Sequence, residues 1–173
     1  MGLEGIALVS LGVVVLMISC SAGVKQETLT SICFPTQNQE FCENLLMSDK
    51  RTSSADLPLL SIISIQLTDK QAKKNHHTFQ QLHDNATDVS IKGPLNKCVG
   101  IYKEMIGKIR EAYQLSMSKR YKDISQLAQA TKLAYKCENG IPLSYNLSMA
   151  SSETMILTCQ TSDYVNLYIA RQL

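Results

Sequence analysis

Residues 93–112 read "GPLNKCVGIYKEMIGKIREA". Pro94 suits a first helical turn, where its missing N–H would have no partner, so the spacing predicts a helix beginning there. Leu95, Cys98, Tyr102, Met105, Ile109 and Ala112 then recur at three-four spacing. That is one apolar stripe about five turns long, and such a stripe must be buried against other helices.

The flanking segments repeat the pattern. Downstream, Leu127, Ala130, Ala134, Cys137 and Ile141 form a second stripe, with Ile124 and Leu133 on its flank. It ends near "ENG", residues 138–140, where Gly140 is expected to take the left-handed conformation that closes a helix, with Pro142 just beyond. Upstream, Asp56 reads as an N-cap and Pro58 as a first-turn residue, followed by Leu60, Ile63 and Leu67 on one face of a helix running to about Asp84. Residues 151–171 carry Met155, Ile156, Cys159, Val165, Leu167 and Ile169, a fourth helical stretch of poorer regularity. Four amphipathic helices must bury their stripes on one another, so the expected fold is all-α, a four-helix up-down bundle over residues 54–171. Residues 24–50 are extra to it, yet Leu29, Ile32, Phe34, Phe41, Leu45 and Leu46 make them apolar enough to dock as a helical hairpin. No internal repeat or low-complexity tract is present, and "SDKRTSS", residues 48–54, reads as plain linker.

The compartment is read from the first 22 residues. Ile6 to Ile18 form an uncharged run too short to span about 30 Å of hydrocarbon and suited to a signal peptide, with small residues Cys20 and Ala22 before the expected cut. A retained membrane anchor is the alternative, because "MGLEG" lacks Lys and Arg; Ile6 stands where a myristoylation signal needs Ser or Thr. Removing residues 1–22 leaves a single domain, residues 23–173, expected to be secreted and free of the membrane. Its net charge rises from +2 to +3 because Glu4 leaves. No cluster of Lys and Arg marks a nucleic-acid footprint.

Of six cysteines, five remain after processing. In an oxidising compartment they allow two bridges and a leftover, in many pairings. Proximity and the turn-forming Pro35 favour Cys33 with Cys42. If the helices carrying Cys98 and Cys137 are antiparallel neighbours, those two come level and a bridge would clip the pair. Closing that loop is worth roughly 3 to 4 kcal/mol in the chain-entropy model. Cys159 would then be a free, buried thiol.

Catalytic constellations are absent from the sequence. His76, His77 and His83 lie near Asp69, Asp84 and Asp88, but a helical zinc pair wants histidines one turn apart. Only His76 and His83 share a face, two turns apart. There is no phosphate loop, no serine elbow and no base placed in sequence to activate Cys159. The expectation is a non-enzyme without metal or cofactor.

Four stretches, "ICFPTQNQEFCENLL" (32–46), "DLPLLSIISIQL" (56–67), "LNKCVGIYKEMIGKI" (95–109) and "DISQLAQATKLAYKCENGI" (123–141), resemble the plant invertase and pectin methylesterase inhibitor family. The likeness covers most of residues 26–141. It implies bridges from first to second and third to fourth cysteine, in agreement with the pairing above, and a disulfide-linked hairpin that supports the bundle or exchanges between protomers. Further on, "SDYVNL" (162–167) resembles the start of the family's last helix, leaving that helix short and "SSETMILTC" (151–159) without a counterpart. The last helix is expected either to begin near Ser151 or to be clipped.

The resemblance implies an inhibitor in the plant apoplast that blocks the cleft of a cell-wall carbohydrate enzyme in a one-to-one complex, as a monomer or alternatively a dimer. Invertase is the favoured target and pectin methylesterase the alternative. A lipid carrier and a non-inhibitory secreted module are the remaining classes, and the Tyr, Thr and Ala residues of the stripes look sized for close packing rather than a cavity. Invertase inhibitors of the family often carry Pro-Lys-Phe between the second and third bundle helices. Here that connection reads "SMSKRYKDIS" (116–125), with no Pro or Phe. Lys119, Arg120 and Tyr121 are the contact candidates, Arg120 to fork to a carboxylate and Tyr121 to stack on an aromatic wall, against a plain solvated turn. Two sequons, at Asn85 and Asn146, are expected in inter-helix connections where a glycan is tolerated.

Overall fold

A computed structural model describes the backbone of residues 23–142 and 146–173, and the side chains of all of these except 146–150. The expected signal peptide, residues 1–22, lies outside the described residues. Six α-helices and no strand are found among the described residues: α1 Gln26–Cys33, α2 Gln39–Met47, α3 Leu57–Asn85, α4 Val89–Met117, α5 Gln126–Glu138 and α6 Asn146–Gln172. Short 3-10 turns at Thr52–Ser54 and Tyr121–Asp123 precede α3 and α5.

Local chemistry sets the helix starts. Asp56 Oδ1 accepts the Leu59 N–H at 2.8 Å, with Pro58 in the first turn, and this cap opens the 29 residues of α3. α4 begins at Val89 rather than at Pro94, because Asp88 Oδ1 accepts the Ser90 N–H at 2.8 Å and starts the helix earlier. Pro94 therefore stands inside α4. The bond it forfeits would go to the carbonyl of Ser90, an exposed residue near the helix end, and Gly93 has no Cβ to meet the proline ring.

Two helix ends also differ from expectation. Gly140 is not left-handed; no described glycine has positive φ, and α5 runs out through right-handed turns, Gly140 N–H to Cys137 O and Ile141 N–H to Glu138 O. The left-handed residue is Lys119, φ 56°, beyond the end of α4. Arg120 N–H reaches Leu115 O at 2.9 Å and Lys119 N–H reaches Ser116 O at 2.9 Å, which is the paired bond pattern of a Schellman closure. α6 is neither clipped nor begun at Ser151: it starts at Asn146 and runs 27 residues. Leu167 on it is 39 % exposed and so stands outside the core, while Met155, Ile156, Cys159, Val165 and Ile169 are buried.

The long helices form an up-down-up-down bundle in which α3, α4, α5 and α6 pack in turn and α6 closes back on α3. The α1–α2 hairpin leans chiefly on α6. It is pinned by the Cys33–Cys42 bridge (Cα–Cα 5.6 Å), while Cys98–Cys137 (5.0 Å) joins α4 to α5. Cys159 is a buried free thiol whose ionisation burial pushes far up, leaving it inert. Residues 48–54 are more ordered than a linker. Arg51 forks onto Asp49 and reaches Gln66 Oε1 on α3 at 2.8 Å, and buried Thr52 donates to Leu46 O at 2.6 Å. The Arg51 hydrogen bonds hold the Asp49 carboxyl down at about 2.

Where α3 meets α4 and α6, the interior is polar. Ser61 Oγ donates to Asn166 Oδ1 (2.5 Å) and so accepts from Ser116 Oγ (2.6 Å). One turn on, Ser64 Oγ lies 3.1 Å from Ser162 Oγ, and next Thr68 Oγ1 lies 3.4 Å from Thr158 O. Further along, Asn75 Nδ2 donates to Tyr102 OH (3.0 Å) and to Ser151 O (2.5 Å), while its Oδ1 accepts from Gln71. Tyr102, its phenol pushed up to about 12 by burial, stacks on Phe79 with ring centroids 5.1 Å apart.

One carboxyl has no such compensation. Asp163 on α6 is half-buried, forms no ion pair or hydrogen bond among the described residues, and desolvation raises it to about 6. Its folded value exceeds the unfolded one, so the charge costs stability as pH rises from about 4 through 6 and costs nothing below. After allowance for its partial exposure the penalty is about 1–2 kcal/mol. Asp163→Asn should therefore raise the melting temperature at pH 7 and leave it unchanged at pH 4; equal effects at both pH values would contradict this. Cys98→Ser with Cys137→Ser should cost about 4 kcal/mol against about 3 for Cys33→Ser with Cys42→Ser, measured by denaturant unfolding, since the closed loop is longer.

Candidate partner-contact site

The α4–α5 connection is a rigid tip. Its first support is the Schellman closure, which holds Lys119 in the left-handed region at a cost of about 1–2 kcal/mol for a residue with a Cβ. A second is Tyr121. Its ring is 5 % exposed, so it plugs the end of the bundle and offers no face for stacking on a partner, in correction of the sequence reading. Burial, and next the Asp56 charge, push its phenol up, and its OH has no hydrogen-bond partner among the described residues. Ile124 is buried beside it in the chain.

With Tyr121 turned in, the cations are turned out. Lys119, Arg120 and Lys122 are all exposed, as is Met117 at 59 %. Arg120 Nε donates to Asp123 Oδ2 at 2.7 Å, with 61 % of its side chain still exposed, so one edge of the guanidinium is engaged and the other is free. The tip thus carries three cations against one carboxylate. Such a surface can enter an acidic pocket and fork to a carboxylate there. Lys122 and Met117 were not singled out from the sequence; only the direction taken by Tyr121 reveals which neighbours face outward.

The remaining sequence candidates lie elsewhere. Asn85 is exposed at the last residue of α3, and Thr87 of its sequon is also exposed. Asn146 stands at the first residue of α6 rather than in a connection; its side chain lies outside the described residues. His76 and His83 are half-buried and His77 is exposed, all on α3, and His83 Nδ1 lies 3.0 Å from Asp84 Oδ1. No three His, Cys, Asp or Glu side chains converge among the described residues, and no described helix is long and apolar enough to cross a membrane.

Comparison with known proteins places these features in a family. A family model described as plant invertase/pectin methylesterase inhibitor matches residues 27–162, extending past α5 into α6. A pectinesterase inhibitor of Actinidia deliciosa is 32 % identical over 127 residues, covering 70 % of this chain and 69 % of that protein. A protein of Platanus orientalis that bears an invertase-inhibitor name is 28 % identical over 150 residues, covering 85 % of each. In fold, the chain is similar to the crystal structure of a mutant form of a pectin methylesterase inhibitor from Arabidopsis, with TM-score 0.73 and 22 % identity over 80 % of this chain and 95 % of that one. With the family model spanning most of its length, this chain belongs to the plant invertase/pectin methylesterase inhibitor family, a family of enzyme inhibitors.

Proposed function

We infer that this protein is a secreted, non-catalytic inhibitor of a plant cell-wall invertase, which it blocks in a one-to-one complex. The observation that carries the reading is the α4–α5 tip, where Lys119, Arg120 and Lys122 project from a closed helix end with exposed Met117 beside them. Hydrolysis of a glycosidic bond is generally run by a pair of carboxylates, so a cationic tip suits an invertase cleft. Little ordering entropy is lost on docking because the connection is already fixed by backbone hydrogen bonds and by the Tyr121 plug. An N-glycan on Asn85 would leave this surface free. It would sit at the opposite end of α4, about 43 Å away at 1.5 Å per residue over 29 residues.

Pectin methylesterase is the second reading, supported by the 32 % identity to the Actinidia pectinesterase inhibitor. Parallel titration of purified acid invertase and pectin methylesterase at mildly acidic pH separates the two. The expected result is stoichiometric inhibition of invertase, weakened roughly tenfold or more by Lys119→Ala with Arg120→Ala, since few anchors carry most of the binding energy. Tyr121→Ala should act through stability instead. Inhibition of the esterase alone would transfer the assignment, and inhibition of neither would reject the inhibitor reading.

A further inference from the structure

A second surface, away from the tip, has the composition of a ligand site. Between the α1–α2 turn, α5 and α6 lies a groove of about 460 Å³, lined by Pro35, Gln37, Lys132, Tyr135, Asp163 and Tyr164 together with Gln160. That volume lies within the roughly 300–1,000 Å³ typical of small-ligand sites. Three features of its chemistry stand out.

First, acceptors there lack donors. Gln160 Oε1 is buried without a partner, although its Nε2 donates to Gln37 Oε1 at 3.4 Å, and the Asp163 carboxylate has neither an ion pair nor a hydrogen bond among the described residues. Gln160 Oε1 is itself shut off from solvent, so the unmatched acceptor that the groove presents is the Asp163 carboxylate. Second, two aromatic rings line the groove. The only ring pair among the described residues is Phe79–Tyr102, so Tyr135, 39 % exposed, and half-buried Tyr164 stack on no other ring. Third, above about pH 6, where Asp163 is ionised, the charges balance: Lys132 and Asp163 carry one of each sign and are not joined as an ion pair.

We propose that this groove binds a neutral hexose unit of an oligosaccharide, with Tyr135 and Tyr164 packing on the sugar's C–H faces and Asp163 and Lys132 meeting its hydroxyls. A sugar hydroxyl has one O–H to give and lone pairs to receive with, so it can donate to Asp163 and accept from Lys132 at once. Aromatic rings offer flat apolar area while amides at the edges fix orientation, the division of labour seen in polar-ligand pockets. A polyanionic uronate gains nothing from a groove whose charges cancel. A guanidinium from a protein partner would suit Asp163 but would meet Lys132. The Cys33–Cys42 bridge, which closes the turn carrying Pro35 and Gln37, keeps one wall in place. This proposal does not depend on the inhibitor reading.

The test uses the ¹⁵N-labelled secreted protein at pH 7, where Asp163 is ionised, titrated separately with cellotetraose, a high-mannose glycan, trigalacturonate and N-acetyl-arginine amide, with amide shifts as readout. The expected result is saturable shifts at Gln37, Tyr135, Gln160 and Tyr164 with a neutral saccharide, at a Kd of about 1 mM for so open a groove. Cellotetraose alone would identify a wall glucan as the source, and the mannose glycan alone a glycoprotein. Tyr135→Ala and Tyr164→Ala should each abolish the shifts, with Tyr164→Phe retaining them and an unchanged melting temperature in Tyr135→Ala excluding misfolding. No shift with either neutral saccharide would overturn the proposal. So would equal shifts with trigalacturonate, or shifts with the arginine amide alone, which would make the groove a protein contact.

Discussion

The polar seam between α3 and its neighbours α4 and α6 fixes the register of the bundle. Apolar side chains tolerate sliding, because one methyl contact is worth nearly as much as the next. Hydroxyls and amides do not, since a buried group that loses its partner costs about 1–3 kcal/mol. Ser61, Ser64, Thr68 and Asn75 of α3 meet Asn166, Ser162, Thr158 O and Ser151 O on α6, while Ser116 and Tyr102 approach from α4. Sliding α6 by half a turn would strand several of these at once, and a whole turn would still leave Asn166 or Ser61 without its partner, although Thr158, Ser162 and Asn166 repeat every fourth residue. The seam therefore selects one arrangement of three long helices more sharply than burial of Ile63, Met105 or Val165 can.

Everything at the ends of the bundle inherits that register. The α4–α5 connection lies where α4 stops, and Tyr121 fits into the bundle end beside Asp56, the residue that caps α3. The Tyr121–Asp123 turn packs on α6 and α4, so a change in the relative height of those two helices would leave Tyr121 without its seat and release Lys119 and Arg120 from their orientation. The Cys98–Cys137 bridge holds α4 and α5 together on the side of the bundle away from the seam, so the covalent clip and the polar seam fix different helix pairs. Rigidity at the tip thus follows from contacts along the length of the bundle, and a rigid tip is what binding without reorganisation requires.

Much of this was legible in the sequence because it rests on periodic apolar residues and on short-range chemistry. The stripe of Leu95 to Ala112 and the Asp56 cap follow local rules, while the clip of Cys98 onto Cys137 follows only once their helices are taken as antiparallel neighbours, as the family resemblance also implies. The failures have physical reasons too. Pro94 signals a helix start, but Asp88 caps more strongly, and Gly93 removes the steric objection to proline inside the helix. The glycine signal for left-handed conformation stands at Gly140, but that conformation occurs at Lys119, which has no sequence signal for it. Tyr121 sits in a run of charged residues and reads as exposed, yet the bundle end is open enough to take its ring. The seam has no reading in the sequence. Ser61, Ser64, Thr68 and Asn75 recur at heptad-like spacing on α3, and Thr158, Ser162 and Asn166 at every fourth residue of α6, but such residues read as a solvated face until two of these faces meet.

The claim that the seam couples α3 to α6 is tested most directly by a double-mutant cycle on Ser61→Ala and Asn166→Ala, with unfolding free energies measured by denaturant titration. Each single change strands its partner, so each should cost about 1–3 kcal/mol, and the pair together should cost less than the sum by about 1 kcal/mol or more. Additivity within about 0.5 kcal/mol would contradict it, because residues that do not depend on one another simply add.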